Sequence, residues 1–159
     1  MTESLIHHAD QPLRQKARFP YWVDEHVRWS DTDKIGHVNN LAFAAYLETG
    51  RSLFLRHFTT ADGPARALFV LGEITIRFIG EAHWPADIDA GTGVVEIGRR
   101  TLHLAQGLFD GERCIATAES VLVLLDETTR KSRDIPPHVR AWLEDFLLTP
   151  PAAPISARG

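Results

Sequence analysis

The segment from about Asn40 to His57 constrains the fold most, because as a helix it is apolar around nearly its whole circumference. Its apolar members are Leu41, Phe43, Ala44, Tyr46, Leu47, Phe54, Leu55 and Phe58. Only a thin polar line of Glu48, Ser52 and Arg56 interrupts them, at i, i+4 spacing. A helix that is apolar on all sides is normally buried, so the pattern predicts a helix enclosed by other elements.

Strand-like runs flank this helix in the chain. A first strand is predicted at about 20–30, where Val23, Val27 and Trp29 share one face that Glu25 interrupts. Four more runs lie at about 68–80, 86–98, 100–109 and 113–125, and Asp110-Gly111 marks a hairpin between the last two. Short connections between these four runs predict an antiparallel meander.

A second helix is predicted at about 136–148, begun by Pro136 and Pro137. Its buried stripe is expected to comprise Val139, Trp142, Leu143, Phe146 and Leu147. The predicted fold class is therefore α+β, with one curved antiparallel sheet wrapped around a long central helix.

Length and composition predict one domain with ordinary globular character. The chain has 159 residues and a net charge of −4, so no basic field is present to attract nucleic acid or an anionic membrane. We expect a flexible segment over 1–18, the folded domain over 19–148 and a disordered Pro/Ala-rich tail over 149–159. No apolar leader or membrane-spanning run is evident, so we expect a cytoplasmic protein.

The single cysteine, Cys114, excludes an intramolecular disulfide and a cysteine-based zinc site. It lies in an apolar run and is expected to be a buried structural thiol. The histidines lack the spacing of metal ligands along the chain, so no metal site is predicted.

Candidate catalytic residues are most frequent in the segment from Trp29 to Asn40. Its sequence is Trp-Ser-Asp-Thr-Asp-Lys-Ile-Gly-His-Val-Asn-Asn. Two carboxylates, Asp31 and Asp33, lie one loop before the predicted helix start. Free N–H groups at a helix start can bind a developing oxyanion, and a nearby carboxylate can act as base or nucleophile. Capping of the loop or helix by the two aspartates is the alternative, and spacing alone leaves both open.

The pattern Asp-x-Asp-x-x-Gly-His-Val-Asn-Asn, followed by a helix with Tyr46, Glu48 and Arg51, resembles the hotdog-fold acyl-CoA thioesterases. The family is that of 4-hydroxybenzoyl-CoA thioesterase, including its long-chain acyl-CoA members. The resemblance covers roughly 19–147, and its specific part is 31–51. It implies a homodimer or homotetramer with the active site at the dimer interface. The implied reaction is hydrolysis of an acyl-CoA, with coenzyme A as part of the substrate and no separate cofactor.

The resemblance also assigns roles by position. Asp33 would be nucleophile or general base, and the backbone N–H of Asn40 would bind the oxyanion. Supporting roles in the loop and helix start would fall to Asp31, Gly36, His37 and Asn39. Among these, we expect Asp31 to anchor the loop and His37 to brace it by a hydrogen bond.

Two further sets of residues follow from the resemblance. Glu48 is an alternative catalytic acid, although an ion pair with Arg51 is the expected structural role. Arg99 and Arg100 would contact the coenzyme A phosphates from the same subunit or its neighbour, unless they are only a solvated strand end. The competing functions are an enoyl-thioester hydratase or dehydratase using His37 with Glu48, and a non-catalytic protein that binds acyl thioesters.

Overall fold

Five strands form one antiparallel sheet with a long helix packed on one face. The computed structural model describes residues 11–60 and 66–150. Its helices and strands are β1 Tyr21–His26, α1 Asn40–Thr59, β2 Leu68–Phe78, β3 Asp87–Ile97, β4 Thr101–Asp110, β5 Arg113–Leu125 and α2 Pro137–Glu144. The strand order is β1-β3-β4-β5-β2, and every neighbouring pair is antiparallel. The predicted α+β architecture is confirmed.

The predicted four-strand meander is wrong for β2. Strands β3, β4 and β5 do form consecutive hairpins, and Gly111 begins the β4–β5 turn with φ +60°. Strand β2, however, pairs with β5, while β3 takes β1 as its other neighbour. The connection over 79–86 is too long to impose a hairpin, and it bonds instead to the segment between β1 and α1. The Val27 N–H donates to the Ala86 carbonyl at 3.0 Å, and the Val38 N–H donates to the Ala82 carbonyl at 2.8 Å. The order leaves β1 and β2 as the two edges.

Helix α1 rests on the sheet closely but is not enclosed by it. Its buried side packs against the sheet residues Ile88, Ala90, Leu108, Ala116 and Ala118. A Cβ placed on Gly50 would lie only 3.3 Å from the Ala90 Cβ and from the Gln106 Nε2, so a side chain here would force the neighbouring side chains to shift. On the other side Leu41 is 82% exposed, and Glu48 and Arg56 face solvent. The prediction of a helix buried on all sides is therefore wrong for the single chain, because five strands cover one side only.

Two elements end earlier than predicted. Strand β1 stops at His26. Trp29 is 72% exposed and lies in a 3-10 turn over Trp29–Asp31. The turn forms because the Asp31 carboxylate accepts a hydrogen bond from the Arg28 N–H at 2.9 Å. Helix α2 buries Val139 and Leu143 as expected but ends at Glu144, which leaves Leu147 outside it and exposed.

The beginning and end of the described chain meet. Residues 11–14 and 16–18, expected to be part of a flexible segment, form 3-10 turns, and Leu13 is buried. The Thr149 N–H donates to the Arg18 carbonyl at 3.0 Å. Residues 1–10 and 151–159 of the two predicted terminal segments lie outside the described residues. Within the described ranges, no helix combines the length and apolar character needed to cross a bilayer.

Candidate active site

Asp31 ties the loop before α1 to the helix itself. Its Oδ2 accepts hydrogen bonds from the Tyr46 hydroxyl at 2.7 Å and from the Arg28 N–H at 2.9 Å. Its carbonyl accepts the Asn39 N–H at 2.9 Å. Burial opposes ionisation of this carboxyl, but the hydrogen bonds from Tyr46 and Arg28 outweigh it and hold the pKa of Asp31 below its ordinary value. Burial, and then the bond to Asp31, raise the pKa of Tyr46, so the phenol stays protonated as a donor.

Asp33, two residues after Asp31, has a different environment. Its Oδ1 accepts the N–H groups of Ile35 at 2.9 Å and His37 at 3.1 Å, which fixes the side chain in one orientation. Gly36 closes the turn between them with φ +83°. The side chain is exposed, and its Oδ2 has no hydrogen-bond partner among the described residues. One carboxylate oxygen is thus held by the loop while the other remains available to a ligand.

The start of α1 supplies hydrogen-bond donors beside this carboxylate. The Asn39 side chain caps the helix by accepting the Ala42 N–H at 2.9 Å. The N–H of Asn40 has no acceptor within the described part of the chain. It therefore carries the partial positive charge of the helix N-terminus without a protein partner.

One cavity of about 320 Å³ brings the principal candidates together. It is lined by Asp33, His37, Val38, Asn40, Phe43, Phe78, Ile79, Gly80 and Glu81. Asp31, Gly36 and Asn39 support its wall from the loop without lining it. The lining thus combines carboxylates and N–H donors with two phenylalanine rings.

The structure separates Glu48 from this cavity. Glu48 is exposed on α1, whereas Arg51 is only 6% exposed and donates to the Gln106 side chain at 3.2 Å. The expected Glu48–Arg51 ion pair does not form at contact distance among the described residues, because Glu48 points to solvent and Arg51 to the sheet. Burial lowers the pKa of Arg51, and the charge of Glu48 partly offsets that effect. The His37–Glu48 couple that the hydratase alternative would use is not formed either, since the carboxylate near the His37 Nε2 is that of Glu81, at 3.4 Å.

Arg99 and Arg100 lie at the opposite end of the sheet. Both contact Asp134, with Arg100 Nε 2.7 Å and Arg99 Nε 3.9 Å from its Oδ1, and this holds the pKa of Asp134 below its ordinary value. The Arg100 carbonyl accepts the Leu124 N–H. Phe78 at the cavity pairs with Ala116, eight residues earlier on β5, or about 26 Å along the strand. Neither arginine therefore lines the cavity of the same subunit.

Several residues of the site were not predicted from the sequence. Glu81 and His83 lie in the connection after β2, and Arg113 bonds to the Glu81 carbonyl at 2.9 Å. His83 is far from His37 in sequence, so no spacing rule joins them. In the sequence they are marked only as polar residues that follow the end of a predicted strand. Without the strand order, nothing in the sequence places them beside His37.

A curved antiparallel sheet with one long helix across it is the hotdog fold, and the solved structures of several thioesterases share it. The chain belongs to the thioesterase-like superfamily, whose family model matches residues 27–143. A predicted thioesterase from Bacillus stearothermophilus has 24% identity and a TM-score of 0.75, covering 82% of this chain and 98% of its own. A thioesterase superfamily protein from Jannaschia sp. has 26% identity and a TM-score of 0.71, with coverages of 84% and 88%. A Thermus thermophilus thioesterase, complexed with coenzyme A and Zn, has 25% identity and a TM-score of 0.68, with coverages of 77% and 96%.

Proposed function

We propose that the protein hydrolyses an acyl-CoA thioester to a free carboxylic acid and coenzyme A. The observation that carries this proposal is the cavity lined by both Asp33 and Asn40. Among the described residues, one oxygen of Asp33 and the N–H of Asn40 have no hydrogen-bond partner. Thioester hydrolysis needs both groups, one to create the nucleophile and the other to stabilise the oxyanion.

In the proposed reaction, Asp33 Oδ2 takes a proton from a water molecule that attacks the thioester carbon. The carbonyl oxygen gains the negative charge and accepts a hydrogen bond from the Asn40 N–H at the positive end of α1. Collapse of the tetrahedral intermediate breaks the carbon–sulfur bond, and the thiolate of coenzyme A takes up the proton. Direct attack by the carboxylate, with later hydrolysis of the anhydride, uses the same two groups.

The lining of the cavity supports an acyl substrate. Phe43 and Phe78 contact each other edge to face, with ring centroids 5.7 Å apart, and present apolar surface at the cavity wall. The Thermus thermophilus neighbour bound to coenzyme A supports that carrier. The hydratase alternative loses support, because its acid, Glu48, is exposed and outside the cavity.

The test is release of free thiol from a panel of acyl-CoA esters by the wild type and by Asp33→Asn. The Asn side chain keeps the shape and can still accept hydrogen bonds from Ile35 and His37, but it lacks the basicity. We expect kcat to fall by roughly 10²-fold or more while the thermal midpoint changes little.

Glu48→Gln is the matched control, since it removes an acid of the same helix–loop region that does not line the cavity. It should leave kcat near the wild-type value. Normal turnover in Asp33→Asn would contradict the assignment. Binding without turnover by the wild type would point to the non-catalytic acyl-binding alternative.

A further inference from the structure

Two histidines and a glutamate converge on the rim of the cavity. His37 and His83 face each other across an antiparallel backbone bridge, and their rings make an edge-to-face contact with centroids 4.9 Å apart. The Glu81 carboxylate completes the group, with its Oε2 3.4 Å from the His37 Nε2 and 3.9 Å from the His83 Nε2. These three side chains have one potential metal-ligand atom each, all within 4.8 Å of one another.

The distances are close to those of a tetrahedral metal site. Zinc–nitrogen bonds of about 2.0–2.1 Å place tetrahedral ligand atoms about 3.3 Å apart. The His37–Glu81 separation already matches that value. The side chains of Glu81 and His83 are 66% and 57% exposed, so they can rotate by the small amount that the other pairs require.

The His83 ring is also oriented as metal-bound histidines are. Its Nδ1 lies 3.1 Å from the Gly36 carbonyl, an acceptor that fixes the proton on Nδ1. The Nε2 that faces Glu81 is then the unprotonated nitrogen, with its lone pair available to a cation. An N–H···O=C bond of this kind is the usual support for a histidine ligand.

We propose that His37, Glu81 and His83 bind one divalent transition-metal ion, such as Zn²⁺, beside the cavity. Two imidazoles and one carboxylate suit this class of ion better than Mg²⁺ or Ca²⁺, which favour all-oxygen sites. Three protein ligands leave a fourth position for water or another small ligand. Because His37 and Glu81 line the cavity, the bound ion lies at its wall. The site does not depend on the proposed thioesterase activity.

The test is equilibrium binding of Zn²⁺ to the metal-free full chain, with Mg²⁺ as a second probe and Co²⁺ absorption as a reporter of histidine coordination. We expect one Zn²⁺ per chain and no comparable binding of Mg²⁺. His83→Gln and Glu81→Gln should each weaken Zn²⁺ binding tenfold or more, as even loss of a supporting residue costs about 10–100-fold. Both side chains are exposed, so circular dichroism should report an unchanged fold.

Two controls locate the ion. His138→Gln removes an exposed histidine of α2, and a His7→Gln, His8→Gln double variant removes the adjacent N-terminal pair; both should bind Zn²⁺ like the wild type. Loss of binding in the double variant, retention of binding in His83→Gln, or no stoichiometric binding by the wild type would each overturn the proposal.

Discussion

At the scale of single residues, the structure gives two neighbouring aspartates opposite environments. The Asp31 side chain is 13% exposed and accepts bonds from Tyr46 and Arg28, whereas Asp33 is exposed with one oxygen unpaired among the described residues. Both carboxylates were recognisable as candidates from their place before an apolar helix. Their difference was not, because it depends on the Tyr46 hydroxyl reaching back from the second turn of α1.

Asp31→Asn should therefore affect stability more than rate. The folded pKa of Asp31 is lowered, so the ionised carboxylate stabilises the fold above its unfolded pKa of about 3.9, and this contribution is lost as the pH falls through the folded pKa. At pH 7 we expect the variant to lose about 1–3 kcal/mol of unfolding free energy. The difference from wild type should shrink below about pH 4. Urea unfolding at pH 7 and pH 3 measures both values.

Tyr46→Phe tests the partner of Asp31 in the same assay. If the hydrogen bond of 2.7 Å is the stabilising contact, combining Tyr46→Phe with Asp31→Asn should lower the unfolding free energy by less than the sum of the two single losses. Additive losses at pH 7, or a difference that does not depend on pH, would disprove this role.

At the scale of helices and strands, the hydrophobic periodicity of the sequence predicted where each strand lies in the chain but not which strands pair. The predicted runs for β2, β3, β4 and β5 agree with the structure to within two residues, since each strand carries its own alternation. The pairing of β2 with β5 could not be predicted, because it depends on where the 79–86 connection bonds. The exposed side of α1 was missed for a related reason: an apolar surface in the sequence does not state which element covers it.

Strand β1 contains a half-buried carboxylate with one unsatisfied oxygen among the described residues. Glu25 interrupts the apolar face of β1, and its Oε1 is buried without a hydrogen-bond partner among the described residues. We expect Glu25→Leu to raise the unfolding free energy by about 1–3 kcal/mol, because it removes an unsatisfied buried oxygen. Chemical denaturation of the purified variant measures this change.

Glu96→Leu is the matched control, as it makes the same replacement at an exposed position of β3. Its effect should stay within about 0.5 kcal/mol. Destabilisation by Glu25→Leu would mean that the carboxylate has a favourable role that the single chain does not reveal.

At the scale of the whole molecule, the position of Arg99 and Arg100 favours a shared site. Strand β2 is an eleven-residue edge, and an exposed edge of this length can pair with another chain. Two-fold pairing of β2 with a second copy would be antiparallel and would bring the partner's Leu68 end beside the Phe78 end of this chain. The partner's Arg99 and Arg100 would then lie at the same end as the cavity, a few strand spacings of about 4.8 Å away.

A mixed assembly tests this arrangement. Arg99→Ala with Arg100→Ala should raise KM for an acyl-CoA far more than it lowers kcat, since the lost contacts bind a remote part of the substrate. The double arginine variant is then co-expressed with the Asp33→Asn variant, and each chain carries a different affinity tag. Purification through both tags should give a mixed dimer with one intact site. That site combines Asp33 of one chain with the arginines of the other, so low-KM turnover should return.

The two parental variants, purified separately and assayed at equal concentration, are the controls. If KM for the double arginine variant equals the wild-type value, the pair is only a solvated strand end bound to Asp134. If its KM rises but the mixed dimer recovers nothing, the arginines do not serve a neighbouring subunit.

The close contact at Gly50 limits how the cavity can change. Gln106 donates to the Leu47 carbonyl at 2.9 Å and to Thr92 at 3.1 Å, and it accepts from Arg51, so α1 is bonded to the sheet beside the close approach at Gly50. Sliding or rolling of the helix would break these buried bonds together and press Gly50 against the Ala90 and Gln106 side chains. These contacts oppose any movement of α1 against the sheet. In the proposed thioesterase, moving α1 to admit a longer acyl chain is therefore costly, and selectivity for chain length would instead reside in the side chains that line the cavity.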